Sequence, residues 1–247
     1  MQNLKTQLQL TTLPIYLIDN SADERLSLAL FSDTAELASS LSVELRLIHG
    51  HGNIGYGRAH NLALPGLESE YHLILNPDII LDANCLGSGI AFLQDNPDTV
   101  LVSPLAEHSN GEKQHLCKRQ PSVFTLLVRG FMPLFLKKHF AARLANYEMH
   151  DLSEIEATPG IPLAGGCYML CRTQTVNKIA GFDEDYFLYF EDFDFSLRMR
   201  EEGEIAYLPT MRIQHAGGYA SQKGFRHLQM FLKSGIRFFN TYGWRWF

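Results

Sequence analysis

The chain has 247 residues, 46% of them hydrophobic and 19% charged, with a formal net charge of −6. This composition excludes a disordered protein, and the acidic balance argues against a general nucleic-acid binder, so we expect no nucleic-acid partner. The length fits one large domain, or one domain with a small appendage.

The cysteines and the hydropathy pattern limit the class of protein further. Cys85, Cys117, Cys167 and Cys171 show no paired C-x-x-C spacing, so a zinc site is not expected. Cys167 and Cys171 would share one face of a strand as small core residues. No apolar run reaches the ~20 residues that a membrane span needs. No secretory signal is visible, and we therefore predict a cytosolic protein with any membrane contact peripheral.

Charge is distributed unevenly along the chain. No acidic residue lies between Glu112 and Glu148, and none follows Glu204, although both regions contain several Lys and Arg residues. Such asymmetry predicts an anionic surface or ligand on one side of the molecule.

The first half of the chain alternates predicted strands with predicted helices. Short apolar runs predict strands at 14–19, 43–49, 71–75 and 100–103. Helices are predicted after Ser21, which has capping-box spacing to Glu24, and at 58–64 and 84–94. This alternation predicts an α/β fold with a largely parallel sheet.

Polar residues follow three of these strands. Asp19 ends the first strand, a glycine-rich loop at 49–57 follows the second, and Asn76-Pro77-Asp78 follows the third. Ligands of parallel sheets collect at the carboxyl ends of strands, so we expect a phosphate-binding site here, with Arg58 adding charge. Two alternatives stay open: a glycine turn that only needs positive φ, and a plain Asn-Pro-Asp turn.

The second half becomes basic, Leu/Phe-rich and helical over 112–150, and then continues as a Pro/Gly loop at 159–166. Strands are predicted at 167–171, 205–208 and 211–214, and a short helix starts at Thr173. From Phe225 the chain is basic and aromatic. This segment either lies in a membrane interface or docks on the domain through its apolar face.

The stretch 181–194 mixes carboxylates with aromatic residues. Aromatic side chains favour burial and carboxylates resist losing water, a combination typical of proton-transfer and cation sites. A helix is predicted at 191–202, with Asp192 as the candidate for chemistry and Asp194 paired with Arg198. The alternative is an acidic helix start that follows an aromatic core strand.

These segments together resemble family 2 glycosyltransferases of the GT-A fold, in the rhamnosyltransferase-like branch that builds bacterial surface polysaccharides. The resemblance spans nearly the whole chain and is more specific for the family than for the sugar. The motifs that carry it are Ile18-Asp19-Asn20-Ser21, Asn53-Ile54-Gly55-Tyr56-Gly57-Arg58-Ala59-His60-Asn61, Leu75-Asn76-Pro77-Asp78, Gly165-Gly166-Cys167-Tyr168-Met169-Leu170, Gly181-Phe182-Asp183-Glu184, Tyr189-Phe190-Glu191-Asp192-Phe193-Asp194-Phe195-Ser196-Leu197-Arg198 and His215-Ala216-Gly217-Gly218.

The resemblance implies a Rossmann-like, mostly parallel sheet flanked by helices, with a GT-A domain at 1–220 and a helical segment at 221–247. It also implies inverting transfer from a nucleotide-diphosphate sugar, with Asp192 as the catalytic base. Asp78 would hold Mg²⁺ or Mn²⁺, with His215 as a further ligand. The nucleotide would lie along Asp19, Asn53, Gly55, Arg58, Asn61 and Asn76, and the sugar pocket would include Gly165, Gly166 and Glu191.

The leading hypothesis is transfer of L-rhamnose from dTDP-rhamnose onto a lipid-linked glycan, in O-antigen or capsule synthesis at the inner face of the plasma membrane. The family's usual first strand would precede the segment at Met1, so we expect this sheet to lack it. Two other classes remain: a truncated, non-catalytic relative that binds a glycan or a partner protein, and a glycosidase that uses two carboxylates.

Overall fold

The computed structural model describes residues 13–21, 43–216 and 224–247. The mixed segment 4–12, the helix predicted after Ser21 with its capping partner Glu24, and Gly217-Gly218 lie outside the described residues. The predicted domain boundary at residue 220 also falls there, and the division into two domains stays a prediction.

The described chain contains eight strands and eight helices. The strands are β1 (Leu13–Ile18), β2 (Val43–Ile48), β3 (Tyr71–Leu75), β4 (Ile79–Leu81), β5 (Thr99–Glu107), β6 (Lys113–Gln114), β7 (Tyr168–Arg172) and β8 (Glu204–His215). The helices are α1 (Tyr56–Asn61), α2 (Cys85–Asp95), α3 (Val123–Phe131), α4 (Leu134–Lys137), α5 (Ala141–Tyr147), α6 (Thr173–Lys178), α7 (Glu191–Arg200) and α8 (Gly224–Tyr242).

The strands form two sheets. β1 and β2 pair in parallel, and a larger sheet has the order β3-β7-β5-β8-β4, with β6 on β5. The predicted α/β class is confirmed. The sheet is less parallel than predicted, because β5 and β8 are the only parallel pair of neighbouring strands in the larger sheet as described. The long connection between β5 and β7, through α3 to α5, leaves and re-enters the sheet at the same end, so β7 runs antiparallel to β5, and it also pairs antiparallel with β3.

Strand alternation divides the core into two layers. Leu101 and Met169 belong to a buried cluster that contains side chains of α7. The next residues, Val102 and Leu170, belong to a second buried cluster that contains side chains of α2. Successive side chains of a strand point to opposite faces, so the larger sheet is covered by helices on both sides. All four cysteines are buried and free, which confirms Cys167 and Cys171 as core residues.

Several predicted boundaries change. The two strands predicted at 205–208 and 211–214 are one strand, β8, whose register against β5 shifts between Pro104 and Leu105. β4 was not predicted, because three residues after a turn are too few for a periodic pattern. None of the described helices is long and apolar enough to cross a membrane.

The C-terminal helix docks on the domain, which decides between the two alternatives left open above. Phe238 and Phe239 of α8 are buried in a third cluster together with Leu163, Tyr186 and Phe190. The apolar face of α8 therefore packs against the chain that leads into α7.

Candidate functional site

The glycine-rich loop is held by Asn20, which follows β1. The Asn20 side chain accepts from the Ile54 amide at 2.9 Å and donates to the Gly55 carbonyl oxygen at 3.2 Å. Gly55 has φ of 96°, and a Cβ there would lie 2.6 Å from the Phe187 carbonyl oxygen. A side chain is excluded at Gly55 by backbone conformation and by space, so the loop approaches the 181–194 stretch closely.

Tyr56, the first residue of α1, joins three loops. Its hydroxyl lies 2.6 Å from the Gly166 carbonyl oxygen and 3.1 Å from Asn76 Oδ1, so one hydroxyl proton serves two acceptor oxygens. Burial raises the pKa of Tyr56 well above its ordinary value, and the nearby charges of Asp192 and Asp78 add to the rise. Tyr56 therefore lies between the two carboxylates to which the sequence assigned the chemistry.

The Asp192 carboxylate is fixed by backbone donors. The Gly166 amide donates to Oδ2 at 3.1 Å, and the Phe193 amide donates to Oδ1 at 3.0 Å. Burial raises the pKa of Asp192, while these hydrogen bonds and the charge of Lys118 oppose the rise. Each oxygen keeps a lone pair that no described backbone amide occupies, so the group can accept a proton in a defined direction.

Glu191 is more deeply buried than its neighbour. It is 6% exposed, and its Oε2 has no hydrogen-bond partner among the described residues. Burial, with the adjacent charge of Asp192, raises the pKa of Glu191 to about 8. Two neighbouring carboxyls that share one site cannot both ionise easily, so one of the pair holds a proton near neutral pH.

The backbone is strained just before this pair. Tyr189 and Phe190 have φ values of 70° and 64°, in the left-handed region that large side chains avoid. The Phe190 ring packs 5.3 Å from that of Phe238, and the Tyr189 hydroxyl lies 2.9 Å from His227 Nδ1. Strained residues persist where surrounding structure over-determines them, and here α8 supplies that structure.

Further bonds fix the ends of this segment. Ser234 of α8 donates to the Leu188 carbonyl oxygen at 2.8 Å. Asp194 accepts from Arg198 at 2.8 Å and from the Tyr242 hydroxyl, also at 2.8 Å. The predicted structural pairing of Asp194 with Arg198 is confirmed.

Asp78 faces His215, which ends β8. His215 Nε2 lies 3.5 Å from Asp78 Oδ2, and its Nδ1 lies 2.7 Å from Gln114 Oε1. An amide oxygen only accepts, so Nδ1 carries the proton and the lone pair of Nε2 in neutral His215 points toward the carboxylate. Burial lowers the pKa of His215, although the charge of Asp78 acts in the opposite direction. Two acceptors that face each other fit a shared cation.

In the described parts of the chain, no group of three or more His, Cys, Asp or Glu side chains could hold a metal ion. Asp78 and His215 would thus supply two ligands, and phosphate oxygens and water would complete a hard-cation site. Their metal-binding role stays a prediction.

The remaining predicted donor-binding residues have protein partners. Asp19 Oδ1 accepts from the Ser21 amide at 2.9 Å, and Asn53 Oδ1 accepts from the Gly55 amide at 3.2 Å. Asn61 both donates to and accepts from the Phe182 backbone, at 2.8 and 2.9 Å. Arg58 pairs with Glu184, at 3.1 Å between Nε and Oε2. The last two tie α1 to the 181–194 stretch, and their predicted contacts with the nucleotide stay untested.

Gly165 and Gly166 form the turn that enters β7. A Cβ on Gly165 would lie 3.3 Å from the Leu116 carbonyl oxygen, and one on Gly166 would lie 3.2 Å from Asp192 Cβ. The structure thus brings together Gly55, Asn76, Gly166, Glu191 and Asp192 around Tyr56. Their predicted roles toward a sugar stay predictions.

Sequence reasoning missed two residues of this arrangement. Tyr56 lies inside the glycine-rich motif, but nothing in its spacing indicated a bridge to residue 166. Lys118 is 8% exposed and lies 3.8 Å from Glu148. Burial lowers the pKa of Lys118 to about 8. Its membership of a long basic run hid it, because such runs are usually solvent-exposed.

No protein-family model matches the sequence. The chain is 25% identical over 196 residues to an N-acetylglucosaminyl-diphospho-decaprenol L-rhamnosyltransferase of Mycobacterium tuberculosis, which covers 74% of this chain and 62% of that protein. It is 24% identical over 196 residues to rhamnosyltransferase WbbL of Escherichia coli strain K12, with 76% of this chain and 70% of that protein covered. The chain spans about three fifths of the length of the mycobacterial relative.

Solved structures of glycosyltransferases superpose on this chain. The mannosyltransferase PcManGT from Pyrobaculum calidifontis, in complex with GDP-Man and Mn²⁺, superposes with a TM-score of 0.58 at 18% identity over 95% of this chain and 58% of that one. TarS 1-349 of S. aureus, in complex with UDP-GlcNAc, superposes with a TM-score of 0.56 at 16% identity over 96% and 61%. The chain has the GT-A fold and is rhamnosyltransferase-like in sequence, as the resemblance implied.

Proposed function

From a GT-A fold and a rhamnosyltransferase-like sequence, we propose that this protein is an inverting glycosyltransferase. It moves a sugar from a nucleotide diphosphate to a hydroxyl group of a lipid-linked glycan. One observation carries the proposal: Tyr56 connects the Asn76-Pro77-Asp78 turn to the Gly166 loop that holds Asp192. Asp78, which would face the diphosphate, and Asp192, which would act as the base toward the acceptor, therefore border one site.

Asp192 is the base. Inverting transfer needs a carboxylate that removes the acceptor proton as the oxygen attacks the anomeric carbon, a role that contributes typically ~10²–10⁴-fold. Burial raises the pKa of Asp192 toward the working pH, which strengthens it as a base. The Gly166 amide fixes its direction.

Glu191 keeps its neighbour ionised. A buried carboxyl with a pKa of about 8 is protonated at neutral pH and adds no second negative charge. The proton on Glu191 therefore leaves Asp192 free to act as the base, and its polar end can donate to a sugar hydroxyl.

Asp78 and His215 would hold a divalent cation against the donor. When bound, Mg²⁺ or Mn²⁺ neutralises charge on the leaving diphosphate. The mannosyltransferase PcManGT, which was crystallised with Mn²⁺, supports a divalent metal without deciding between Mg²⁺ and Mn²⁺. The protein's own contribution is to aim Nε2 of His215 at the carboxylate by means of Gln114.

The donor is proposed as dTDP-rhamnose and the acceptor as a lipid-linked oligosaccharide of a surface polysaccharide. The names of the sequence relatives, which are rhamnosyltransferases, support the sugar, and the decaprenol-linked substrate in one name supports the acceptor. We propose that the protein works in peripheral contact with the inner face of the plasma membrane, and the lipid-linked substrate in the name of one relative supports the membrane contact.

Asp192→Asn tests the mechanism. We expect transfer from dTDP-rhamnose to a lipid-linked acceptor to fall by ~10²-fold or more, with donor binding retained. Asp95→Asn, an exposed change on α2, is the matched control. Equal rates in Asp192→Asn and the parent would remove Asp192 from the mechanism. A parent protein without transfer from any nucleotide sugar would instead favour the non-catalytic alternative.

Thermal shift tests the donor and the metal. A ligand that binds only the native state raises the unfolding midpoint, and at equal concentration the tighter ligand raises it more. We expect dTDP-rhamnose with Mn²⁺ to raise it more than UDP-hexoses do, and we expect EDTA or Asp78→Asn to remove most of the gain. An equal shift with UDP-hexoses would contradict the sugar assignment.

A further inference from the structure

The fold joins the two acid-free segments of the chain. Residues 113–147 and 205–247 carry thirteen of the 21 Lys and Arg residues and none of the 27 Asp and Glu residues. The amide of Val123 donates to the Arg245 carbonyl oxygen at 2.7 Å, and that of Phe124 donates to the Trp246 carbonyl oxygen at 3.1 Å. The Phe124 ring lies 5.6 Å from that of Phe247. Residues 119–147 and the tail 243–247, which are separate in sequence, therefore form one surface, here called the basic-apolar surface.

This surface also exposes large apolar side chains. Among the described residues fifteen large hydrophobic side chains are exposed, and eight of them lie on α3, on α4 and in the C-terminal tail. Leu134 and Phe135 are 80% and 67% exposed, and Phe247 is 83% exposed. The eight are Leu127, Phe131, Leu134, Phe135, Leu136, Trp244, Trp246 and Phe247. Clustered exposure of this kind marks an interaction surface more often than a solvent face.

Between the helices and the tail lies an arginine-lined cleft of about 360 Å³. Arg119 pairs with Asp151 at 2.6 Å. Arg143 lies over the Phe124 ring at 5.4 Å, and Arg245 donates to the Gln120 side chain. No ion pair involves Arg143 or Arg245 in the described parts of the chain, so two guanidinium groups in the cleft have no carboxylate partner. Guanidinium groups bind phosphate through paired N–H donors.

We propose that the basic-apolar surface docks the protein on an anionic lipid bilayer, with its apolar side chains in the interface and lipid phosphate in the arginine-lined cleft. Aromatic and leucine side chains among basic residues are the composition that interfacial segments use. Each basic residue near an anionic leaflet adds to the attraction, and added salt screens it. This assigns membrane contact to α3, α4 and the tail, whereas the apolar face of α8 is occupied by the core.

Charge complementarity favours a bilayer over a second copy of the chain. A two-fold interface would place this basic surface against itself, and the like charges of Arg143 and Arg245 would then meet a second copy of the same surface. Asp151 and Glu148 reach the edge of the surface, where they pair with Arg119 and Arg129. The chain outside the two acid-free segments carries the 27 acidic residues and only eight Lys and Arg residues, so an anionic leaflet repels it. This charge imbalance orients the molecule.

Membrane docking by this surface rests on the proposed transferase function only for the position of the lipid-linked acceptor. Tyr147 lines the cleft, and the Lys118 ammonium lies 5.9 Å from its ring centroid. The backbone of Lys118 pairs with Leu163, which leads into the Gly165-Gly166 turn that holds Asp192. A headgroup in the cleft would therefore lie on the acceptor side of the site.

Vesicle co-sedimentation tests the surface without any sugar chemistry. Vesicles of equal parts phosphatidylglycerol and phosphatidylcholine are compared with vesicles of phosphatidylcholine alone. We expect the parent to bind the anionic vesicles at least about tenfold more tightly, and added salt to weaken that binding. Two double variants, Leu134→Ser with Phe135→Ser and Arg143→Gln with Arg245→Gln, should each lose about tenfold or more.

Matched controls are Ile155→Ser, which removes an 84% exposed apolar side chain elsewhere, and Arg200→Gln on α7. Both should bind as the parent does, and urea midpoints should show that all variants fold. No binding by the parent, or equal losses in the controls, would overturn the proposal. So would self-association of the parent that the two double variants abolish, since the surface would then serve a second copy. Vesicle binding by a parent protein that transfers no sugar would contradict the proposed function and leave the membrane-docking proposal intact.

Discussion

The Tyr56 hydroxyl lies 2.6 Å from the Gly166 carbonyl oxygen, across 110 residues of sequence. The amide of the same glycine donates to Asp192. A single peptide segment therefore transmits the position of α1 to the proposed base. The distance between the diphosphate side and the acceptor side of the site depends on this bond.

Tyr56→Phe should lower both stability and transfer. The change leaves the Gly166 carbonyl oxygen without its donor inside a mostly buried site, which costs about 1–3 kcal/mol. Urea denaturation measures the stability and steady-state kinetics the transfer rate. Tyr16→Phe, which removes an exposed hydroxyl bonded to the Gly66 carbonyl oxygen, is the control and should change stability by less than 1 kcal/mol. A neutral Tyr56→Phe would show that the bridge does not hold the site.

Gly166→Ala should lower kcat clearly, with a smaller effect on the free energy of unfolding. Its Cβ would lie 3.2 Å from Asp192 Cβ and 3.5 Å from Tyr56 Cε1, so the base must move by a few tenths of an ångström. Misplacement of a catalytic group on this scale costs roughly tenfold or more in rate. Gly130→Ala, where a Cβ would meet nothing within 4 Å, is the matched control. An unchanged kcat would argue against a fixed position for Asp192.

Glu191 makes stability depend on pH with a predictable sign. Its pKa is about 8 in the folded chain against an ordinary value of 4.5, so the folded state binds more protons between those values. The free energy of unfolding therefore falls as pH rises through that window and levels off above it. Urea midpoints at about pH 5 and about pH 9 should differ more for the parent than for Glu191→Gln. An equal change of the urea midpoint with pH in the parent and in Glu191→Gln would show that burial does not raise the pKa of Glu191.

Two neighbouring residues should respond in opposite directions to a swap of Ala and Gly. Ala180 is exposed with φ of 58°, so Ala180→Gly should stabilise the chain by up to about 1 kcal/mol. Gly181 has φ of 69°, and a Cβ there would overlap Asn61 Oδ1. Gly181→Ala should cost about 2 kcal/mol or more, because strain adds to the loss of the Asn61 bonds to Phe182. Thermal or urea unfolding measures both, and a change of the same sign would contradict the assigned backbone conformation.

Much of the framework followed from the sequence. Apolar runs located β1, β2, β3 and β7 to within a residue or two, because burial of a strand imposes a local pattern. The sequence also indicated Asp78 and Asp192 as candidate site residues, since acidic groups at strand ends or among aromatic residues are unusual in a folded chain. The pairing of Asp194 with Arg198 was predictable because both lie on one turn of one helix.

Only the tertiary structure decided which residues that are distant in sequence contact each other. The bridge from Tyr56 to Gly166, the docking of α8 behind Phe190, and the joining of Phe124 to Trp246 depend on how the helices and sheets pack. The same basic and aromatic composition at the C-terminus fits a membrane-facing helix or a docked one, and the choice follows from which side chains find buried neighbours. Sequence determined which residues carry charge and where strands and helices form. Packing determined which groups meet, because the bonds from Tyr56 to Gly166 and from Phe124 to Trp246 join residues 110 and 122 positions apart along the chain.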